Sequence, residues 1–275
     1  MELSVLVLRL WMMSSLLWLS IPNSFADYLP QNTTVPGGIA ILPIQSPNQP
    51  MVYFAEKRVP VLADPKHPQQ WLAIVGLPLR LSSGEQSVTI TNPVRQQQSF
   101  IINPLPKALP APDPILSDQA QAILSQQQKI IHIANQYSAT NPFAQPFIPP
   151  MRGTLLNKFG SLVDEIPQQH IAIAAPVGTQ VIAPTNAVVL AIKSLPLLGK
   201  TVFLDHGQSV ITAYSQLTKL QVTPGQYIAQ GKPIGYIKGL PGEVMGVLIW
   251  HGLINQALIN PQRLLDPKIT IDPCG

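Results

Sequence analysis

Short apolar runs fill residues 35–103 and are separated by Pro, Gly, Asn and Ser. The clearest alternation is in "QSVTITN", where Val88 and Ile90 fall on one face of an extended chain. Runs of this length, bounded by turn residues, are typical of β-strands. The pattern therefore predicts a small β-sandwich-like domain at 35–103.

The pattern changes over residues 104–149. The segment "NPLPKALPAPDPIL" contains five prolines, which favours a stiff, extended linker. After it, isoleucines recur near helical spacing, and Ser117 precedes them as a candidate cap. We therefore expect one helix at about 117–137.

Apolar runs such as "AVVLAIKS" and "SVITAYS" return between residues 150 and 267. Turn sequences separate them, and in "TPGQ" Pro224 and Gly225 suit the centre of a type II turn. We predict a second, antiparallel β domain at 150–267 and a tail at 268–275. The expected fold class is all-β, with a proline-rich linker and one helix between two β domains.

The first residues have the pattern of a secretory signal. Arg9 precedes an apolar run over residues 10–19, and the small residues Ser24 and Ala26 resemble a cleavage site. We expect residues 1–26 to be removed after export. The alternative is an uncleaved membrane anchor, although the run is short for a span of about 20 residues.

The amino-acid composition excludes some classes of function. Hydrophobic residues make up 46% of the 275 and charged residues only 11%, which supports a packed core. The formal charge of +4 comes from scattered lysines and arginines, without the basic stripe that nucleic-acid binding needs. We therefore expect no nucleic-acid partner. The lone Cys274 excludes an internal disulfide and a cysteine-based metal site.

Five segments resemble, in order, the motifs of LytM-type (lysostaphin-like) zinc peptidoglycan endopeptidases. They are "KFGS", "IAAPVGTQVIAP", "VFLDHGQSVITAYSQLT", "VTPGQYIAQGKPIGYI" and "INPQRLL". Residues 37–90 also resemble the β domain that precedes the peptidase in secreted proteobacterial members. The resemblance implies the duplicated hybrid motif fold for the second domain and a location in the periplasm.

The resemblance also implies where the three zinc ligands should stand. The His and Asp of the family's H-x-G-x-D motif fall on Gln168 and Ala172, and the second His of H-x-H falls on Trp250. The two assisting histidines fall on Gln216, in Y-x-H, and on Leu248, the first position of H-x-H.

A one-residue shift would move the H-x-H positions to Val247 and Ile249. None of these residues is a usual zinc donor, whereas a catalytic zinc takes three protein ligands and a water. We therefore predict no catalytic residue, no metal and no cofactor, although the family carries zinc.

Other side chains near these positions leave alternatives open. His170 lies two residues after Gln168, on the same side of an extended chain, so a zinc site rebuilt around it is one alternative. His170, Tyr214 and Trp250 are also candidates for binding a ligand in the groove. Trp250 either offers a surface on which a sugar or peptide stacks, or fills the vacated metal cavity.

The turn residues and apolar pattern of the family remain, while its metal donors are absent. We therefore predict a catalytically inactive module of the cell envelope that binds or regulates peptidoglycan or a cell-wall hydrolase. The alternatives are a zinc metalloendopeptidase that cleaves peptidoglycan cross-links and a structural component of an envelope complex. Membrane contact is expected only through an uncleaved signal segment.

Overall fold

The computed structural model of the chain describes residues 28–91, 94–111 and 116–269. The predicted signal peptide, Cys274 and nearly all of the predicted tail lie outside the described residues.

The N-terminal strands form two antiparallel sheets that share one core. The strands are β1 Ile39–Gln45, β2 Met51–Phe54, β3 Lys57–Arg58, β4 Val61–Ala63, β5 Gln70–Gly76, β6 Gly84–Thr91 and β7 Gln96–Ile102. One sheet has the order β1-β5-β4, and the other has the order β3-β2-β6-β7. Val88 and Ile90 point into the common core, as their alternation predicted.

The predicted helix is α1, Asp118–Ile133, and it ends a few residues earlier than expected. Ser117 is its cap, because its side-chain oxygen accepts a hydrogen bond from the Ala120 backbone N–H at 3.1 Å. Such a bond satisfies one of the N–H groups that the first turn leaves free. Within the described residues, no helix is both long enough and apolar enough to cross a membrane.

The C-terminal strands form a ten-stranded sheet and a small hairpin. They are β8 Thr154–Asn157, β9 Leu162–Val163, β10 Ile166–Pro167, β11 Ile171–Pro176, β12 Gln180–Ile182, β13 Ala187–Leu195, β14 Gly199–Gly207, β15 Val210–Thr218, β16 Tyr227–Ile228, β17 Pro233–Ile237, β18 Met245–Ile254 and β19 Ala257–Ile259. A 3-10 helix, Pro261–Leu264, follows. Gly225 has a φ of +82°, as the predicted type II turn requires.

The main path of the large sheet runs β16-β13-β14-β15-β18-β11-β8, with β12, β17 and β19 paired to its sides. One face, here called the inner face, packs into a core that contains Tyr214 and Trp250. The opposite face, here called the outer face, packs on α1 through a cluster that includes Ile130, Phe203 and Ala213. Apart from α1 and the 3-10 turn, the described structure is built from antiparallel strands, so the all-β prediction is confirmed.

Candidate functional site

The register between β11 and β18 decides which side chains could share a site. Ala172 lies directly opposite Ile249, and Ile171 lies directly opposite Trp250. Paired residues of an antiparallel ladder point to the same face, and successive residues point to opposite faces. Ala172 and Ile249 are therefore neighbours on the outer face, whereas Trp250 points to the inner face.

This register favours the shifted placement of the H-x-H motif over the placement at Leu248 and Trp250, and both stay predictions. Both side chains lie on the inner face and are completely buried, so neither could reach a metal bound beside Ala172. The shifted placement, at Val247 and Ile249, is the one compatible with the register. These two residues are half-buried on the outer face, and Val247 lies opposite Ala174.

Tyr214 and Trp250 pack on each other inside the core. They face each other across β15 and β18, and their rings are stacked with centroids 6.4 Å apart. Both are fully buried, and the indole Nε1 of Trp250 has no partner with good hydrogen-bond geometry. This location favours the filling role of Trp250 over ligand binding by either aromatic ring.

Gln168 and Gln216, at two further positions predicted for the family site, both make local hydrogen bonds. The buried Gln168 donates from Nε2 to the carbonyl of Ile166 at 3.1 Å. Gln216 donates from Nε2 to the carbonyl of Leu197 at 3.1 Å, and its φ of +66° interrupts the alternation of β15. Both amides thus hold neighbouring backbone.

His170 and His251 lie close together on the outer face, with ring centroids 5.1 Å apart. Burial lowers the pKa of His170 to about 4, and burial followed by the proximity of His170 lowers the pKa of His251 well below its usual value. Both imidazoles are therefore neutral near pH 7 and able to bind a metal. Two donors fall short of the three that a catalytic zinc takes.

No group of three or more His, Cys, Asp or Glu side chains that could hold a metal ion occurs in the described part of the chain. On the third strand of the outer face, Ser215 lies opposite Ile249 and accepts a hydrogen bond from Thr201 at 2.9 Å. The residues at the positions predicted for the family's metal ligands are amides, an alanine and aliphatic side chains. This set of donors does not fit the zinc that the family carries.

His206 belongs to a buried hydrogen-bond chain. Tyr214 donates its hydroxyl proton to Thr212 at 2.8 Å, and Thr212 lies 2.8 Å from Nε2 of His206. The carbonyl of Asn186, 3.1 Å from Nδ1, can only accept, so Nδ1 carries the proton and Nε2 accepts from Thr212. Burial lowers the pKa of His206 to about 4, opposed by the bond to Asn186. These hydrogen bonds engage both ring nitrogens of His206, which indicates a structural role.

Helix α1 also contributes polar contacts beside the site, and the sequence interpretation did not foresee them. Gln127 donates from Nε2 to the carbonyl of Pro167 at 3.1 Å and accepts from Nε2 of Gln169 at 2.8 Å. The signal was present in the sequence, because Gln126, Gln127 and Ile130 lie on one face of the helix. These bonds hold α1 against the segment that carries Gln168 and His170.

A cavity of about 710 Å³ opens near the Gln216 position. Lys219, Tyr236 and Lys238 line it, and the backbone N–H of Lys238 donates to the Gln216 carbonyl at 2.9 Å. The two ammonium groups give this cavity a positive charge that suits a ligand with carboxylates.

Comparison with protein families gives two matches. The model described as "Peptidase family M23 N-terminal domain" matches residues 32–104, and the one described as "Peptidase family M23" matches residues 167–261. The peptidase match includes the Gln168, Ala172 and Ile249 positions.

Two curated relatives are each similar to about a third of the chain. Peptidoglycan DD-endopeptidase ShyA of Vibrio cholerae is 33% identical over 88 residues, which are 32% of this chain and 20% of ShyA. Cell division protein DipM of Caulobacter vibrioides is 28% identical over 94 residues, which are 34% of this chain and 15% of DipM. The matches thus span a fifth or less of each relative.

One solved structure shares the fold over most of the length. It comes from Pseudomonas aeruginosa, was assigned to peptidase M23, and is 24% identical with a TM-score of 0.70. The superposition covers 86% of this chain and 96% of that one. The arrangement of the two β regions is therefore shared, and at this identity the likeness concerns the fold alone.

Proposed function

This chain carries both domains of peptidase family M23, the N-terminal domain and the peptidase domain, and on that premise we propose a non-catalytic role for it. It acts in the cell envelope by binding, either to peptidoglycan or to a protein that hydrolyses it. Its peptidase domain serves as a scaffold whose metal site has been replaced.

The observation that supports this proposal is the pairing of Ala172 with Ile249 on the outer face. We assign these two positions to two of the family's zinc ligands. Neither side chain has a nitrogen, oxygen or sulfur atom to donate. A peptidase of this kind needs the zinc to lower the pKa of the attacking water to about 7 and to polarise the substrate carbonyl. The residues of this chain supply neither effect.

Three features support binding as the remaining activity. The strands and turns of the peptidase fold are intact, so the scaffold has kept its packing although the donors are gone. The cavity lined by Lys219 and Lys238 suits the carboxylates of wall peptides. The names of the two relatives, a peptidoglycan DD-endopeptidase and a cell division protein, are consistent with a role at the wall.

A second candidate function is a zinc endopeptidase with a rebuilt site. The proximity of His170 and His251 favours it, because two neutral imidazoles lie close together on the outer face, each two residues in sequence from Ala172 or Ile249. This function requires at least one more ligand, which a partner or a rearranged side chain would have to supply.

The test uses the purified chain and isolated murein sacculi. We expect less than stoichiometric zinc by mass spectrometry, no release of soluble fragments from sacculi, and co-sedimentation of the protein with them. Digestion that stops when a chelator is added would overturn the proposal and support the rebuilt zinc site. Absence of sedimentation, with capture of a wall hydrolase from envelope extract, would assign the binding to the protein partner instead.

Charge-reversal variants show whether the cavity lined by Lys219 and Lys238 takes part in binding to sacculi. We expect the double substitution Lys219→Glu and Lys238→Glu to reduce sedimentation with sacculi at least about fivefold, because it reverses the local charge. The double substitution Lys193→Glu and Lys200→Glu, at two exposed positions outside this cavity, makes the same change in net charge and serves as the control. Equal losses for both variants would mean that net charge alone drives the association.

A further inference from the structure

Strand β7 forms the outer edge of the four-stranded N-terminal sheet. It pairs with β6 in an unbroken register from Gly84 opposite Ile102 to Ile90 opposite Gln96. Among the described residues, none forms a backbone hydrogen bond with Gln96–Ile102 on the side away from β6. The N–H and C=O groups on that side therefore form an open ladder.

Most proteins protect such an edge, and β7 has none of the usual devices. Natural edge strands carry charges, proline or bulges, or are very short. The seven residues of β7, QQQSFII, contain neither a charge nor a proline, and their register shows no bulge. Ile101 is 60% exposed on the outward surface of this strand. These properties are those of a strand that pairs with another strand.

We propose that β7 pairs with β7 of a second copy of this chain, antiparallel and about a two-fold axis at Ser99. The pairing joins two four-stranded sheets into one sheet of eight strands. Gln97 then lies opposite Ile101 of the second copy, so the methylenes of the glutamine cover the exposed isoleucine. The inward-facing Gln98 and Phe100 lie opposite each other in the same way and extend the two cores.

Charge selects this orientation and favours a second copy as the occupant. Arg95 precedes β7, and Asn103 follows it. A two-fold axis at Ser99 places each Arg95 opposite Asn103 of the other copy, whereas parallel pairing would set two Arg95 side by side. Like charges directly opposite each other destabilise a strand pair. The uncharged strand thus pairs with itself without repulsion, even though each chain carries a formal charge of +4.

The first test compares two lysine variants of the full chain by sedimentation velocity over a series of concentrations. Ser99→Lys places two ammonium groups opposite each other at the axis, and we expect it to raise the dimer dissociation constant at least about fivefold. Ser87→Lys is the control, because Ser87 pairs with Ser99 within one sheet and is exposed on the same face, but lies one strand inward. We expect it to change the dissociation constant less than about twofold.

The second test uses cross-linking in a Cys274→Ser background. Directly opposite residues in an antiparallel pair have Cα atoms about 4.5–5.5 Å apart, which suits a disulfide. Ser99→Cys should therefore form a covalent dimer on mild oxidation, and Ser87→Cys should remain monomeric. A wild-type chain that stays monomeric at every concentration would overturn the proposal, as would a dimer that Ser99→Lys leaves unchanged. Protection of the β7 amides from hydrogen exchange in a monomer would assign the edge to another part of the chain.

Discussion

The two faces of the β11–β18 ladder carry different kinds of side chain in this protein. On the inner face, Trp250 and its neighbours form a fully buried core of large side chains. On the outer face, Ala172 and Ile249 lie opposite each other, at the positions that we propose for two of the family's zinc ligands. Because successive residues of a strand point to opposite sides, one face can lose its chemistry while the other keeps its packing. The fold can therefore keep its core whatever side chains the outer face carries.

Introducing the family's zinc ligands on the outer face should have the largest effect, on both zinc affinity and stability. The triple variant Gln168→His, Ala172→Asp and Ile249→His brings three donors to one face, so we expect it to bind zinc with a dissociation constant at or below the micromolar range. Zinc in thousandfold excess over that constant should raise the free energy of unfolding by about 4 kcal/mol. Titration calorimetry and zinc-dependent thermal unfolding measure both effects.

The matched control keeps the first two substitutions and replaces Ile249→His by Trp250→His. Its third donor, the imidazole at position 250, would enter the inner core on the wrong side of the sheet, so we expect no gain in zinc affinity over the double variant. Equal zinc affinity for the two triple variants would show that the faces are not separated as the register indicates.

Truncating one side chain on each face tests the comparison through the loss in the free energy of unfolding. Trp250→Ala removes a completely buried ring, and we expect a loss of about 3–5 kcal/mol in the free energy of unfolding. Ile249→Ala removes a half-buried side chain on the outer face, with an expected loss of about 1–2 kcal/mol. Urea denaturation of both variants measures the difference. Similar losses would mean that the outer face is as tightly packed as the inner one.

The outer face should also respond to acid through His170. Its folded pKa of about 4 lies below the usual 6.5, so the unfolded chain binds more protons between these values. Stability contributed by the neutral ring is complete above pH 6.5 and is lost as the pH falls toward 4, with a slope of up to about 1.4 kcal/mol per pH unit.

Denaturation series from pH 7 to 4 test this dependence. His170→Gln should lower the slope of unfolding free energy against pH by up to the contribution of one proton, about 1.4 kcal/mol per pH unit. The reason is that an uncharged amide cannot be protonated in this range. His132→Gln, which removes an exposed imidazole on α1, is the matched control. An identical slope for wild type and His170→Gln would show that this ring is not held neutral by burial.

Much of the fold followed from the sequence pattern. Alternation and turn residues indicated the two β regions, and the serine before the isoleucine repeat indicated the start of α1, because these signals are local. The order of motifs also predicts that metal donors are missing at Gln168 and Ala172, from their spacing to the Ala-Ala-Pro segment at 174–176, and this stays a prediction.

Only the tertiary structure decided which residues face each other. Alternation shows that Ile249 and Trp250 point in opposite directions, but a shift of one residue exchanges the faces of the whole strand. The pairing of β11 with β18, more than sixty residues apart in sequence, sets the register that joins Ala172 to Ile249 and buries Trp250. The position of α1 over the outer face is likewise fixed by packing between distant segments, which no local pattern encodes.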